Sequence, residues 1–185
     1  MADQYIDQKN QTRNNSNQQA DDRGGGEGWL AVEGYDKNAL YIAVEEESME
    51  KCNAAIEAGA NIDYLCSRSY IDKDGTDLGK GFSSLHVASI RGILPFVTRL
   101  LEMNASVDIK AEKGRTPLYV ASCNGHHPVV EALLQHGAAA DQARTDNGQT
   151  SLIVASWFGH HPVVEALLQH GAAVDKATLI METHP

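Results

Sequence analysis

Histidine has the widest chemical range of any residue type in this sequence, and its spacing repeats. The string GHHPVVEALLQHGAA occupies residues 125–139 and again 159–173, placing His126, His127 and His136 in one copy and His160, His161 and His170 in the other. Helical units pack about 8–10 Å apart, so imidazoles from adjacent copies could just meet around a metal. Zinc prefers four ligands at about 2.0–2.3 Å, and no thiolate or carboxylate in these copies converges with the histidines. A pH-sensitive patch is the other chemical reading. The favoured reading is structural: the histidines belong to a packing unit, and no metal or cofactor is expected.

The remaining chemical candidates are weaker. Cys123 precedes His126 by three residues, but an activated thiol also needs an orienting group and an oxyanion site, and nothing points to either. GTDLGKG at 75–81 is one residue short of a phosphate loop, and Gly81 stands where Ser or Thr would hold magnesium. DKDGTD at 72–77 begins like a calcium loop, yet its glycine comes too early and Ser83 occupies the place of the closing glutamate. No nucleophile elbow, zincin helix or kinase catalytic loop is present, so the sequence is read as non-catalytic.

Composition narrows the partners. The net charge of -10 disfavours a polyanion, so nucleic acid is not expected. Only 6% of residues are aromatic against 42% hydrophobic overall, which leaves alanine, leucine and valine to carry the packing, as in helix-rich folds. Cys52, Cys66 and Cys123 are odd in number and widely spaced, unlike a disulfide framework. With neither a signal-peptide pattern nor an apolar run of transmembrane length, the expectation is an intracellular protein, cytoplasmic or nuclear, away from membranes.

The elements that position these residues come from an internal repeat. Copies begin at Lys37, Phe82, Arg115 and Gln149, with spacings of 45, 33 and 34 residues, so 12 extra residues separate the first two. Each copy reads as two short helices. Thr116 can cap the first, with Pro117 at the position where a missing N–H costs nothing. Gly125 ends that helix in left-handed geometry, Pro128 opens the second, and Val129, Val130, Leu133 and Leu134 form its buried stripe until Gly137 stops it. Neither helix can bury its stripe alone, whereas stacked copies can.

The stretches TPLYVA at 116–121, SSLHVA at 83–88, TSLIVA at 150–155 and NALYIA at 38–43, at a period near 33, resemble ankyrin repeats. The resemblance covers roughly 34–178. It implies an all-α solenoid of four stacked repeats, near 34–63, 79–108, 112–141 and 146–175, with an insertion loop at 64–81. A polar leader over 1–28 is read as disordered, the repeat domain as 29–178, and 179–185 as a short tail. Tyr41, Tyr119 and Ile153 replace the family's usual histidine, which only His86 keeps, putting its inter-repeat hydrogen bonds in question. The last copy keeps an internal apolar pattern, so its edge is expected to be covered by a partner or by further repeats, or the chain to be a fragment.

Function is expected where the frame stays fixed and the surface varies. Between 116–139 and 150–173 only Pro117/Ser151, Tyr119/Ile153, Cys123/Trp157 and Asn124/Phe158 differ. By resemblance, the two residues before the inter-helix glycine face the concave, partner-binding side. That assigns Glu45, Glu46, Ile90, Arg91, Cys123, Asn124, Trp157 and Phe158 to a protein-binding surface, with Lys37, Phe82, Arg115 and Gln149 at the turn tips. Trp157 and Phe158 cannot both face one core stripe: they anchor an interface, or Trp157 packs back on a following turn or repeat. The expected role is a protein–protein interaction scaffold; the alternative is an adaptor or regulatory part of a larger ankyrin-containing protein.

Overall fold

The computed structural model describes residues 39–174, and among them lie eight α-helices in four pairs. The first pair is α1 (Ala39–Glu45) and α2 (Met49–Glu57); the second is α3 (Ser84–Arg91) and α4 (Leu94–Glu102). The third is α5 (Pro117–Cys123) and α6 (His127–Gln135), and the fourth is α7 (Ser151–Trp157) and α8 (His161–Gln169). The leader at 1–28, the turn-tip residue Lys37 and the tail at 179–185 lie outside the described residues.

Local chemistry sets the helix ends. Ser83, Thr116 and Thr150 each take extended backbone and accept, through the side-chain oxygen, the N–H of His86, Tyr119 and Ile153 respectively. Each cap satisfies one of the donors that a helix start leaves open. Pro95, Pro128 and Pro162 sit in the first two positions of the second helices, where no N–H is needed. Between the helices of a pair the chain must pass through left-handed geometry, and Gly92, Gly125 and Gly159 do so at φ 71, 71 and 73°. The first pair departs from this: Glu47 holds the position at φ 55°.

The first helices pack in series, α1 on α3, α3 on α5 and α5 on α7, while α4, α6 and α8 form a second row. Leu85 and Leu118 in the first row, and Val97, Leu100, Val129, Leu133, Val163 and Leu167 in the second, are buried almost completely. Truncating any one of these leucines to alanine should cost about 2–5 kcal/mol. Three carboxylates stitch neighbouring units together. Asp63 accepts the Ser106 N–H at 2.8 Å, Asp108 the Ala139 N–H at 3.0 Å, and Asp141 the Ala173 N–H at 2.8 Å.

The 64–81 insertion folds back on itself as a narrow arm. Tyr70 and Leu78 exchange backbone bonds with Gly79 and Tyr70, at 2.7 and 2.8 Å, and Ile71 bridges Asp77 antiparallel. Asp72 Oδ1 accepts the N–H groups of Asp74 and Thr76, so the carboxylate that opened the calcium-like motif closes the arm's own turn. At the base Phe82 stacks on Tyr70 with ring centroids 5.5 Å apart, and the Arg115 guanidinium donates to the Leu78 carbonyl.

Candidate interaction surface

The paired positions before each inter-helix turn separate into two columns. Glu46, Arg91, Asn124 and Phe158 are all exposed, one from each unit and each chemically different. Glu45, Ile90, Cys123 and Trp157 form the second column. Glu45 and Cys123 are half-buried and Ile90 is only 8% exposed, whereas Trp157 is 70% exposed. The next unit covers this second column, and α7 has no following helix pair among the described residues. The two aromatics are therefore exposed for different reasons. Phe158 sits in a column that is open in every unit, while Trp157 sits in one that an added unit closes.

The expected site needs two corrections. Phe82 is fully buried, because its ring is held between Tyr70 and His86 at the base of the arm, and it presents nothing at a turn tip. Ile90 is buried because α5 packs on α3, leaving it no contact surface for a partner. Arg115 and Gln149 remain partly exposed, and both also brace the frame. Gln149 Oε1 accepts from Tyr119 Oη at 3.1 Å, and Arg144 lies over the Tyr119 ring 5.4 Å from its centroid. The acidic run is paired internally: Lys51 meets Glu46 at 2.8 Å, and Arg91 meets Glu47 at 3.5 Å.

The histidines divide into three structural roles. His126 Nε2 donates to the Ile90 carbonyl at 2.8 Å, and His160 Nε2 donates to the Cys123 carbonyl at 3.1 Å. Each imidazole lies against the glycine of the preceding unit, where a Cβ would come within 2.5 Å of His126 at Gly92 and 2.6 Å of His160 at Gly125. His127 and His161 open α6 and α8, and His127 faces Glu131 at 3.5 Å. His136 and His170 bond through Nδ1 to carbonyls of their own helices, Ala132 and Ala166. Among the described residues, no three His, Cys, Asp or Glu side chains converge as metal ligands would.

His86 makes the inter-unit bond expected of it, from Nε2 to the Arg115 carbonyl at 3.0 Å, with Ser83 on its other nitrogen. Complete burial pushes its pKa down to about 4. Tyr119 replaces that histidine with a longer reach to Gln149, while Ile153 has no polar group to offer. Burial pushes the Cys52 and Cys123 thiols above the ordinary cysteine range, the opposite of what an activated thiol needs.

A family model of ankyrin repeats, in three copies, matches residues 85–178, which is 94 of the chain's 185 residues. The chain belongs to the ankyrin-repeat family. No curated protein sequence matches it. The matched span runs from α3 past α8, and the α1–α2 pair lies before it, with α1 packed on α3. Ankyrin repeats generally serve as protein–protein interaction modules and are typically non-catalytic. No helix among the described residues is long and apolar enough to cross a membrane.

Sequence reasoning located the variable positions but grouped them as adjacent pairs. It also missed the inter-unit latch made by His126 and His160. The available signal was the co-occurrence of Gly and His: the glycine at 92 or 125 precedes the histidine of the following unit, at 126 or 160. Glu47 occupies the glycine position in the first unit, and Ile93 occupies the histidine position in the second.

Proposed function

We propose that this chain is a non-catalytic scaffold that binds a protein partner along the column Glu46, Arg91, Asn124 and Phe158. Glu45 and Cys123 are the chain neighbours of Glu46 and Asn124, and Arg115 and Gln149 lie at the turn tips before α5 and α7. One observation carries the reading: Phe158, a large aromatic 59% exposed, occupies the position where every other unit also exposes a side chain. Exposed aromatics and arginines are the side chains that most often anchor protein interfaces.

The mechanism is rigid presentation. Phe158 stacks on His160 with centroids 6.1 Å apart, and His160 is in turn latched to the Cys123 carbonyl. Asn124 Nδ2 donates to the Val120 carbonyl of its own helix at 2.8 Å, and Arg91 is tied to the Glu45 carbonyl at 2.6 Å. Side chains already held in place lose little entropy when a partner arrives. The column changes from acidic to basic to neutral to aromatic along the stack. A bound segment therefore reads it with a basic residue, an acidic residue and an apolar anchor, in that order.

Affinity capture with the full chain tests this reading. A triple variant Glu46→Lys/Arg91→Glu/Phe158→Ala should lose partners that the wild type retains. A His127→Ala/His161→Ala control, altered away from the column, should keep them. Equal capture by a correctly folded column variant removes these residues from the interface.

A further inference from the structure

The row of second helices is closed from α4 to α8 and open before it. α4 packs on α6 and α6 on α8, whereas α2 does not close on α4 in the same way. A cleft of about 600 Å³ lies between α2 and α4. Two departures from the repeat pattern account for it. Ile93 replaces the histidine that latches the later units, and Arg99 stands where α6 and α8 carry Ala132 and Ala166. Helix axes approach only as closely as the side chains between them allow, and an arginine needs more room than an alanine. Arg99 reaches across the gap instead, donating from Nε to Asn53 Oδ1 at 3.0 Å.

The cleft has an apolar end and an acidic end. Met49 and Leu94 line it where the two helices start, and Glu57 and Glu102 line it where they finish. Both glutamates are exposed. Arg99 answers Glu102 at 3.5 Å, while Glu57 meets no cation among the described residues. Helix C-termini are themselves negative, so carboxylates in the last turn work against the helix dipole. Two carboxylates therefore share a single guanidinium at a place that already favours cations. α6 and α8 carry Gln135 and Gln169 in this register, so the acidic end belongs to this cleft alone among the four units.

We propose that the α2–α4 cleft binds an extended peptide segment of a partner protein, one that presents an apolar side chain and, four residues away, a lysine or arginine. The spacing follows from the helices. Met49 and Glu57 bound α2, and eight residues of helix rise about 12 Å. An extended chain covers about 13 Å in four residues, and alternate side chains point the same way, so residues i and i+4 both face the cleft. The apolar side chain packs between Met49 and Leu94, where a flexible thioether adapts to its shape. The cationic head lies between Glu57 and Glu102 and supplies the missing charge. The cleft is on the second-helix row, whereas Glu46, Arg91, Asn124 and Phe158 end or directly follow the first helices, so the two surfaces can be disabled separately.

The test uses the full chain at low salt and the capped probe Lys-Ser-Thr-Ser-Leu-Ser-Thr-Ser-Lys, which offers the spacing in both chain directions. Amide NMR titration should give a Kd of about 100 µM, with the largest shifts along α2 and α4. Replacing both probe lysines by glutamine, or its leucine by serine, should weaken binding about tenfold. Moving each lysine to two residues from the leucine should do the same. On the chain, Glu57→Gln/Glu102→Gln should also weaken binding about tenfold, and it removes charges that the helix ends disfavour, so the variant should fold as well as the wild type. Glu131→Gln/Glu165→Gln, the same change of charge on α6 and α8, should bind like the wild type, and so should Phe158→Ala. No binding up to about 1 mM, equal affinity or equal loss in the two glutamine variants, or indifference to the lysine spacing would overturn the proposal. So would a probe affinity that falls as protein concentration rises, which would give the cleft to a second copy of this chain.

Discussion

The His160 imidazole fills the space that a side chain on Gly125 would need, 2.6 Å from an ideal Cβ, and from there donates to the Cys123 carbonyl. Glycine at 125 therefore has two jobs, left-handed geometry at φ 71° and room for the next unit's ring. Gly137, at φ 85°, has the first job only, since nothing lies within 4 Å of its Cβ. Gly137→Ala should thus cost about 1 kcal/mol of backbone strain, and Gly125→Ala about 1 kcal/mol more because it ejects the ring. His160→Ala alone should cost about 1 kcal/mol, and the Gly125→Ala/His160→Ala double variant less than the sum of its parts. Urea unfolding of the four variants measures the coupling. Strict additivity would mean that the ring and the glycine do not share a seat.

The first interface is the exception, and it suggests a stabilising change. Glu47 holds left-handed geometry at φ 55°, where its Cβ is penalised, and the neighbouring unit has Ile93 in place of the latching histidine. Arg91 takes over, donating to the Glu45 carbonyl at 2.6 Å and pairing with Glu47 at 3.5 Å. That ion pair is largely exposed, so its loss costs little. Glu47→Gly should therefore raise stability by about 1 kcal/mol, read as a higher denaturation midpoint with an unchanged slope.

The solenoid and its unit boundaries were legible because each cap, proline and glycine acts within a few residues of itself. Thr116, Pro117, Gly125 and Pro128 determine their local geometry regardless of what packs beside them. Burial between units was not legible in the same way. Phe82 looks like a turn-tip residue until the insertion returns Tyr70 to stack on it. Ile90 and Trp157 share a register, yet one is covered and the other open, and only the stacking order decides which. The latch was half visible, since the Gly-His-His-Pro spacing is local but its acceptor lies 36 or 37 residues away.

Acid should weaken the fold through His86. Its folded pKa of about 4 lies below the ordinary value of 6.5, because full burial disfavours the imidazolium. The unfolded chain therefore binds this proton first as pH falls. The contribution of neutral His86 is complete above about pH 6.5, declines below it, and is gone near pH 4. The loss should be roughly 3 kcal/mol over that window. Urea unfolding at pH 7.5, 5.5 and 4.5 reads the slope. A His86→Gln variant, which keeps a polar side chain but cannot titrate, should be weaker at neutral pH and flatter across the window. An identical pH slope in that variant would assign the acid sensitivity to other groups.

Trp157 and Ile90 occupy one register with opposite exposure, and truncation should separate them. Ile90 is 8% exposed between α3 and α5, so Ile90→Ala opens a cavity and should cost about 2–4 kcal/mol. Trp157 is 70% exposed and supports little of the free fold, so Trp157→Ala should change stability by less than about 0.5 kcal/mol. Phe158, 59% exposed and stacked on His160, should behave like Trp157 with a small added cost for the lost ring contact. Thermal unfolding of the three single variants gives the ranking Ile90→Ala well below the other two. A large loss at Trp157 would show that its indole is buried in the intact chain, and the end of the stack would then be closed by the chain itself.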